Sequence, residues 1–158
     1  MTKICFLDID GVMNSRQYIL AVKDLFDVPS RQMDPLAIDR LNKITDATGA
    51  SIVVSSTWRV PFLHSAQGVD MLAELMAGYG ITGSVVGMTP DHISQVGFYG
   101  TRANEILTWI KDNPPVDAYI AIDDERMTDL DPNQIKTEFE TGLMDHHIAQ
   151  AIQLLGKK

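Results

Sequence analysis

Acidic residues stand in pairs where two apolar runs stop. Asp8 and Asp10 close "ICFLDID", Asp123 and Asp124 close "YIAIDD", and between them in the chain "SIVVSS" ends on two hydroxyls, Ser55 and Ser56. Carboxylates can act as nucleophile, as general acid and base, or as ligands to a hard cation. Four acids gathered at one place repel each other strongly unless a cation sits among them. Oxygen ligands without a His or Cys cluster favour magnesium, which takes one or two carboxylates with water and substrate phosphate. Each piece alone is ordinary: D-x-D occurs in turns, D-D caps helices and S-S fills loops. Their recurrence after separate buried runs is what makes the set specific.

Those runs are strands. Residues 3–9 and 52–55, the short "SVVG" at 84–87, "DAYIAIDDE" and a last stretch near Ile135 read as buried strands. Helices fall between them. "PLAIDRLNKITDA" at 35–47 places Leu36, Leu41, Ile44 and Ala47 near helical spacing, with Asp34 as N-cap before Pro35 and Gly49 closing the end. A second helix spans 68–77, a third is capped by Thr101 and ended by Pro114 and Pro115, and a fourth runs from Leu143 to Leu155. Alternating strands and helices imply an α/β fold, a three-layer α/β/α sandwich around a mainly parallel, Rossmann-like sheet. Ligands collect outside the carboxyl ends of such strands. Asp8, Asp10, Ser55, Ser56, Asp123 and Asp124 are the residues found there.

The 158 residues suit a single domain over 1–158, and 45% hydrophobic with 22% charged residues is usual for a globular chain. No apolar run is long enough for a membrane span, and the N-terminus lacks the pattern of a signal peptide. One cysteine, Cys5, points to a reducing, cytoplasmic setting and reads as a small buried hydrophobe. A net charge of −8 argues against a broad nucleic-acid surface but not against one phosphate held by local cations.

"FLDIDGVMNS", "IVVSSTWR", "TRANEILTWI" and "YIAIDDE", in this order, resemble the four motifs of the haloacid dehalogenase-like (HAD) phosphohydrolases. The group with the closest pattern is the small HAD domains of RNA-repair proteins, where segments similar to "SSTWR" and to "IKTEFETGL" also occur. The resemblance implies that Asp8 attacks phosphorus to give an aspartyl-phosphate, and that Asp10 protonates the leaving group and later takes a proton from water. It implies that Ser55, with Ser56 the competing choice, donates to a phosphate oxygen, and that Arg102 supplies the cation of the third motif. It implies magnesium held by Asp8, the Asp10 backbone carbonyl and Asp123, with Asp124 holding a bound water or orienting Arg102. Gly11 would turn the backbone so that amides approach the phosphate.

Around these, Arg59 is expected to grip the substrate or its phosphate or to form a surface salt bridge, Trp58 to be core or a stacking platform, and Asn14 and Arg16 to line the entrance. His64, His92, His146 and His147 lack metal-ligand spacing and read as structural or surface residues, the last two facing different ways. Residues 15–33 would form a small helical flap with Tyr18, Leu20, Val22, Leu25 and Phe26 in apolar contact, since no full cap domain fits. The function expected is a magnesium-dependent phosphomonoesterase, its substrate a phosphate ester such as a nucleotide or phosphorylated nucleic-acid end. A receiver-like phosphoacceptor and a non-catalytic HAD-like binding module are the alternatives.

Overall fold

The first strand, β1 (Lys3–Leu7), is buried throughout and lies at the centre of a five-stranded sheet. In the computed structural model, which describes residues 1–25, 27–91 and 101–158, β1 is flanked by β2 (Ser51–Val54) and β4 (Ala118–Asp123). β3 (Val85–Met88) and β5 (Gln134–Lys136) form the edges, giving the order β3-β2-β1-β4-β5 with all neighbours parallel. Helices α1 (Arg16–Ala21), α2 (Pro35–Thr48), α3 (Gly68–Gly78), α4 (Arg102–Asp112) and α5 (Asp145–Leu155) complete the fold. None of the described helices is long and apolar enough to cross a membrane.

Strand alternation divides the core in two. Cys5, Leu7, Ile52, Val54, Ile120 and Ile122 face one way, against Leu41 and Ile44 of α2, Leu72 and Met76 of α3, and Ala151 and Leu155 of α5. Ile4, Phe6, Val53 and Ala121 face the other, against Ala103 and Ile106 of α4 with Met127 and Leu130. Phe6 meets Trp109 edge-on at 5.6 Å between ring centroids on that second side. Burial also raises the Cys5 thiol to about 12, so it packs as an inert hydrophobe.

The local punctuation follows from the sequence. Asp34 accepts from the Leu36 amide and Gly49 ends α2 at φ +72°, while Thr101 accepts from the Asn104 amide at the start of α4. β1 is shorter than the 3–9 its composition predicts. After one more ladder bond, from the Asp8 amide to the Ile122 carbonyl, the chain turns, with the Val12 and Met13 amides both donating to Ile9. The flap also departs from expectation. α1 and two short 3₁₀ turns do form, but Leu20 and Leu25 are about half exposed and none of α1 is buried. Leu20 and Leu25 therefore add little to the core, whereas Met33 at the end of the segment is fully buried in it, and Phe26 lies outside the described residues.

Arg59 corrects a second expectation. It sits in the 3₁₀ turn after β2 and is only 3% exposed, so it does not reach out to a substrate. Its Nε donates to the Thr89 carbonyl, Nη1 to the Ser56 carbonyl, and Nη2 to the Pro90 carbonyl and to Glu105 Oε2 at 3.1 Å. Burial lowers the Arg59 pKa and Glu105 opposes the shift. One guanidinium thus ties the ends of β2 and β3 to α4. Removing its carboxylate partner leaves a buried charge under-compensated. Glu105→Ala should cost about 3 kcal/mol in urea unfolding, and a loss below about 0.5 kcal/mol would show the pair to be structurally idle.

The histidines of α5 differ in burial although their rings lie only 4.0 Å apart, so they do not simply face different ways. His146 is exposed. His147 is buried and accepts at Nδ1 from the Met144 amide at 2.9 Å. His64 is exposed, and His92 lies outside the described residues. Burial first, then His146 and Arg40, against a weaker pull from Glu138, hold His147 down to about 4. A folded pKa below the unfolded value means that stability is complete above about pH 6.5 and falls as the pH drops towards 4, because only the unfolded chain readily takes the proton. His147→Asn should flatten the stability–pH curve between 6.5 and 4 by something on the order of 2 kcal/mol, read by urea titration at several pH values. Parallel curves for the two proteins would contradict this.

Candidate active site

The sheet's order reverses direction between β1 and β4, and such a switch point opens a crevice at the strands' carboxyl ends. Register decides who meets there. Leu7 is opposite Val54 on one side and Ile122 on the other, so the next row across the sheet is Ser55, Asp8 and Asp123. The Ser55 amide donates to the Leu7 carbonyl and keeps that row in line. By alternation these three continue the Val53, Phe6 and Ala121 face, the face that α4 covers. Arg102, at the first turn of α4, is therefore delivered directly onto them.

The contacts follow. Arg102 Nη1 lies 3.1 Å from Asp8 Oδ2 and 2.9 Å from Asp123 Oδ2. Carboxylate oxygens of Asp8, Asp123 and Asp124 all lie within 4.8 Å of one another. Asp8 and Asp123 are buried, Asp124 half-buried. Burial, then Asp123, lifts the Asp8 carboxyl to about 8 even against Arg102, and burial also raises Asp123. Burial alone would lower Arg102, but Asp123 and Asp8 outweigh it and hold the guanidinium above its ordinary value. The Glu125 amide donates to Asp123 Oδ1 at 2.8 Å.

Among the described residues, three clustered acids face one guanidinium, so the pocket is short of positive charge and a further cation there would favour the ionised form of Asp8. The donors are carboxylate oxygens alone at a spacing that one ion can gather, a set that fits magnesium. The fourth acid stands apart. Asp10 is exposed, and its Oδ1 accepts from Asn14 Nδ2 at 3.0 Å and from Trp58 Nε1 at 3.3 Å, so three side-chain carboxylates, not four, form the cluster.

The two serines separate cleanly. Ser56 Oγ accepts from the Trp58 amide and caps the following 3₁₀ turn. Ser55 Oγ is buried with no hydrogen-bond partner among the described residues, beside Asp8. An orphaned buried hydroxyl is uncommon and costs stability; Tyr18 and Thr89 also carry one, but that of Ser55 lies in the row of Asp8 and Asp123, where it could donate to a ligand. Ser56, the competing choice for the phosphate contact, is a structural cap.

Asn14 does not line an entrance either. It is fully buried, and its amide is engaged on both sides: Oδ1 accepts from the Gly11 amide, and Nδ2 donates to Asp10 and to the Gln32 carbonyl. Gly11 likewise offers no amide to phosphate, because that N–H also donates to the Asn14 carbonyl at 2.9 Å. What glycine provides is room. Its φ is +80°, and a Cβ there would lie 2.5 Å from Asp124 Oδ2. Asp124 therefore rests on the turn rather than on Arg102, whose carboxylate contacts are Asp8 and Asp123. Arg16 is exposed and pairs with Glu140 at 3.3 Å.

Sequence reasoning missed the part played by "IKTEFETGL" beyond its likeness to a motif. Thr137 Oγ1 donates to the Gly11 carbonyl at 2.8 Å, and the Leu143 amide donates to the Val12 carbonyl. Gly142, at φ +67°, passes so close that a Cβ would lie 2.8 Å from that same Val12 oxygen. The segment clamps the turn that follows Asp8. The threonine and glycine types were visible in the sequence, but nothing in their spacing named the partner.

No curated protein and no solved structure matches the chain. The family model describing the HAD domain in Swiss Army Knife RNA repair proteins matches residues 4–148, which include every segment assembled above. A parallel sheet with acids after β1 and β4, a hydroxyl after β2 and a cation opening α4 is what that match brings together, and the chain belongs to this HAD family.

Proposed function

We propose that the protein hydrolyses phosphate monoesters through an aspartyl-phosphate on Asp8. The observation that carries this reading is the clustering of Asp8, Asp123 and Asp124 around Arg102, beside the unpartnered hydroxyl of Ser55. Asp8 attacks phosphorus and the ester oxygen leaves, taking a proton from Asp10. Water then attacks the aspartyl-phosphate as Asp10 takes its proton back, and inorganic phosphate departs. Splitting one displacement into two lets a single positioned carboxyl serve both halves as acid and then base. Ser55 and Arg102 donate to the phosphoryl oxygens, where positioning and charge stabilisation supply most of the rate. Magnesium held by Asp8, Asp123, Asp124 and the Asp10 backbone carbonyl would supply the positive charge that keeps Asp8 ionised and offsets that of the phosphoryl group.

A receiver-like phosphoacceptor suits the site less well, because the exposed second acid, Asp10, has no task in a module that only stores the phosphoryl group. The name of the matched family, with its RNA repair proteins, supports a nucleotide or phosphorylated nucleic-acid end as substrate. A net charge of −8 points to recognition of the end rather than of an extended backbone.

Asp8→Asn should abolish hydrolysis of p-nitrophenyl phosphate, and wild-type activity should vanish with EDTA and return with added magnesium. More than a few per cent of activity in clean Asp8→Asn protein, or indifference to EDTA, would sink the mechanism. In a release assay comparing 3′- and 5′-phosphorylated oligonucleotides, mononucleotides and sugar phosphates, one of the nucleotide classes should be turned over fastest. Preference for sugar phosphates would discard the nucleic-acid reading while leaving the chemistry intact.

A further inference from the structure

Asp10 is an exposed aspartate, and an exposed aspartate normally samples its rotamers freely. Here the carboxylate is engaged. Among the described residues, both of its hydrogen bonds fall on one oxygen, Oδ1, from Asn14 Nδ2 at 3.0 Å and Trp58 Nε1 at 3.3 Å. Both donors are N–H groups that cannot accept in return. Two N–H bonds occupy both lone-pair directions of a carboxylate oxygen, so a proton on Oδ1 would have to displace one of them.

The donors are themselves held. Asn14 is fully buried, and its amide orientation is set by its own partners. Reversing the group would place its NH₂ against the Gly11 N–H and its oxygen against the Gln32 carbonyl. Trp58 is half-buried, follows the Ser56 cap and packs against Tyr79 at 6.1 Å between rings. The loop after β1 and the turn after β2 thus converge on a single atom of Asp10.

We propose that Asn14 and Trp58 are positioning residues that hold Asp10 by Oδ1 and leave Oδ2 as the oxygen that gives and takes the proton. The proposal rests on the phosphatase reading, in which Asp10 is the acid. Its consequence is directional: a carboxyl anchored through one oxygen presents the other at a constant place, which is what intramolecular proton transfer requires.

The test uses leaving groups. kcat/KM covers the steps up to departure of the alcohol, so it isolates the acid role of Asp10 from its later action on water. An alkyl phosphate such as glycerol phosphate needs a proton to leave, whereas 2,4-dinitrophenolate does not. Asp10→Ala is the reference for complete loss of the acid. Trp58→Phe keeps the aromatic packing and deletes only the N–H. It should lower kcat/KM for glycerol phosphate by about tenfold, with a loss of no more than about twofold for the dinitrophenyl ester. Equal losses on both esters, or no loss on either, would overturn the proposal.

If Asp10→Ala itself fails to discriminate between the esters, the acid assignment falls and this proposal with it. If Asp10→Ala discriminates and Trp58→Phe does not, only the positioning role is lost. A second readout does not depend on activity or on the Trp58 variant folding. The chain has two tryptophans, and Asp10→Ala should shift the indole N–H resonance of Trp58 while leaving that of Trp109 in place. An unmoved Trp58 signal would also refute the contact.

Discussion

The structure is organised around an electrostatic deficit. Three carboxylates meet within 4.8 Å at the end of a buried sheet, and among the described residues a single guanidinium, Arg102, faces them. Burial first, and then the like charge of Asp123, raises the Asp8 carboxyl to about 8, above the usual carboxylate range. Such a cluster is costly to fold around. The scaffold must therefore hold the acids together against their repulsion without relying on them for cohesion.

It does so with backbone geometry and with pairs placed just outside the site. Parallel register sets Ser55, Asp8 and Asp123 in one row, and strand alternation turns that row towards α4. On α4, Arg102 and Glu105 are three residues apart and share a face. Arg102 meets the anionic cluster, and Glu105 meets Arg59, which is bonded to three backbone carbonyls at the ends of β2 and β3. The helix is thus anchored by an ion pair of the opposite sense one turn from the site. On the far side, Thr137, Gly142 and Leu143 grip the turn after Asp8 through its carbonyls.

What could be read in the sequence was what depends on period and position. Strand runs ending in acids located Asp8 and Asp123, and capping residues bounded α2 and α4 closely because caps act locally. The choice between Ser55 and Ser56 needed the actual strand end, one residue earlier than the apolar run suggested. Arg59 and Asn14 could not be placed, because a polar residue after a strand looks the same whether it points to solvent or is buried among carbonyls that the fold supplies. Gly11 was legible as a turn but not as the space that Asp124 occupies. The flap misled for the converse reason: apolar residues suggest burial, yet this short excursion leaves Leu20 and Leu25 about half exposed.

The early end of β1 carries the most chemical meaning. Had the strand run on through residue 9, alternation would have placed Asp10 on the same face as Asp8, adding a fourth acid to a cluster already short of positive charge. Instead the chain turns after Asp8, with the Ile9 carbonyl accepting from Val12 and Met13, and Asp10 emerges into solvent under the hold of Asn14 and Trp58. Two aspartates two residues apart thereby occupy opposite environments, one buried among like charges and one exposed and anchored by neutral donors. A carboxyl buried among like charges and a carboxyl open to solvent need different surroundings, and the turn is what lets one short segment supply both.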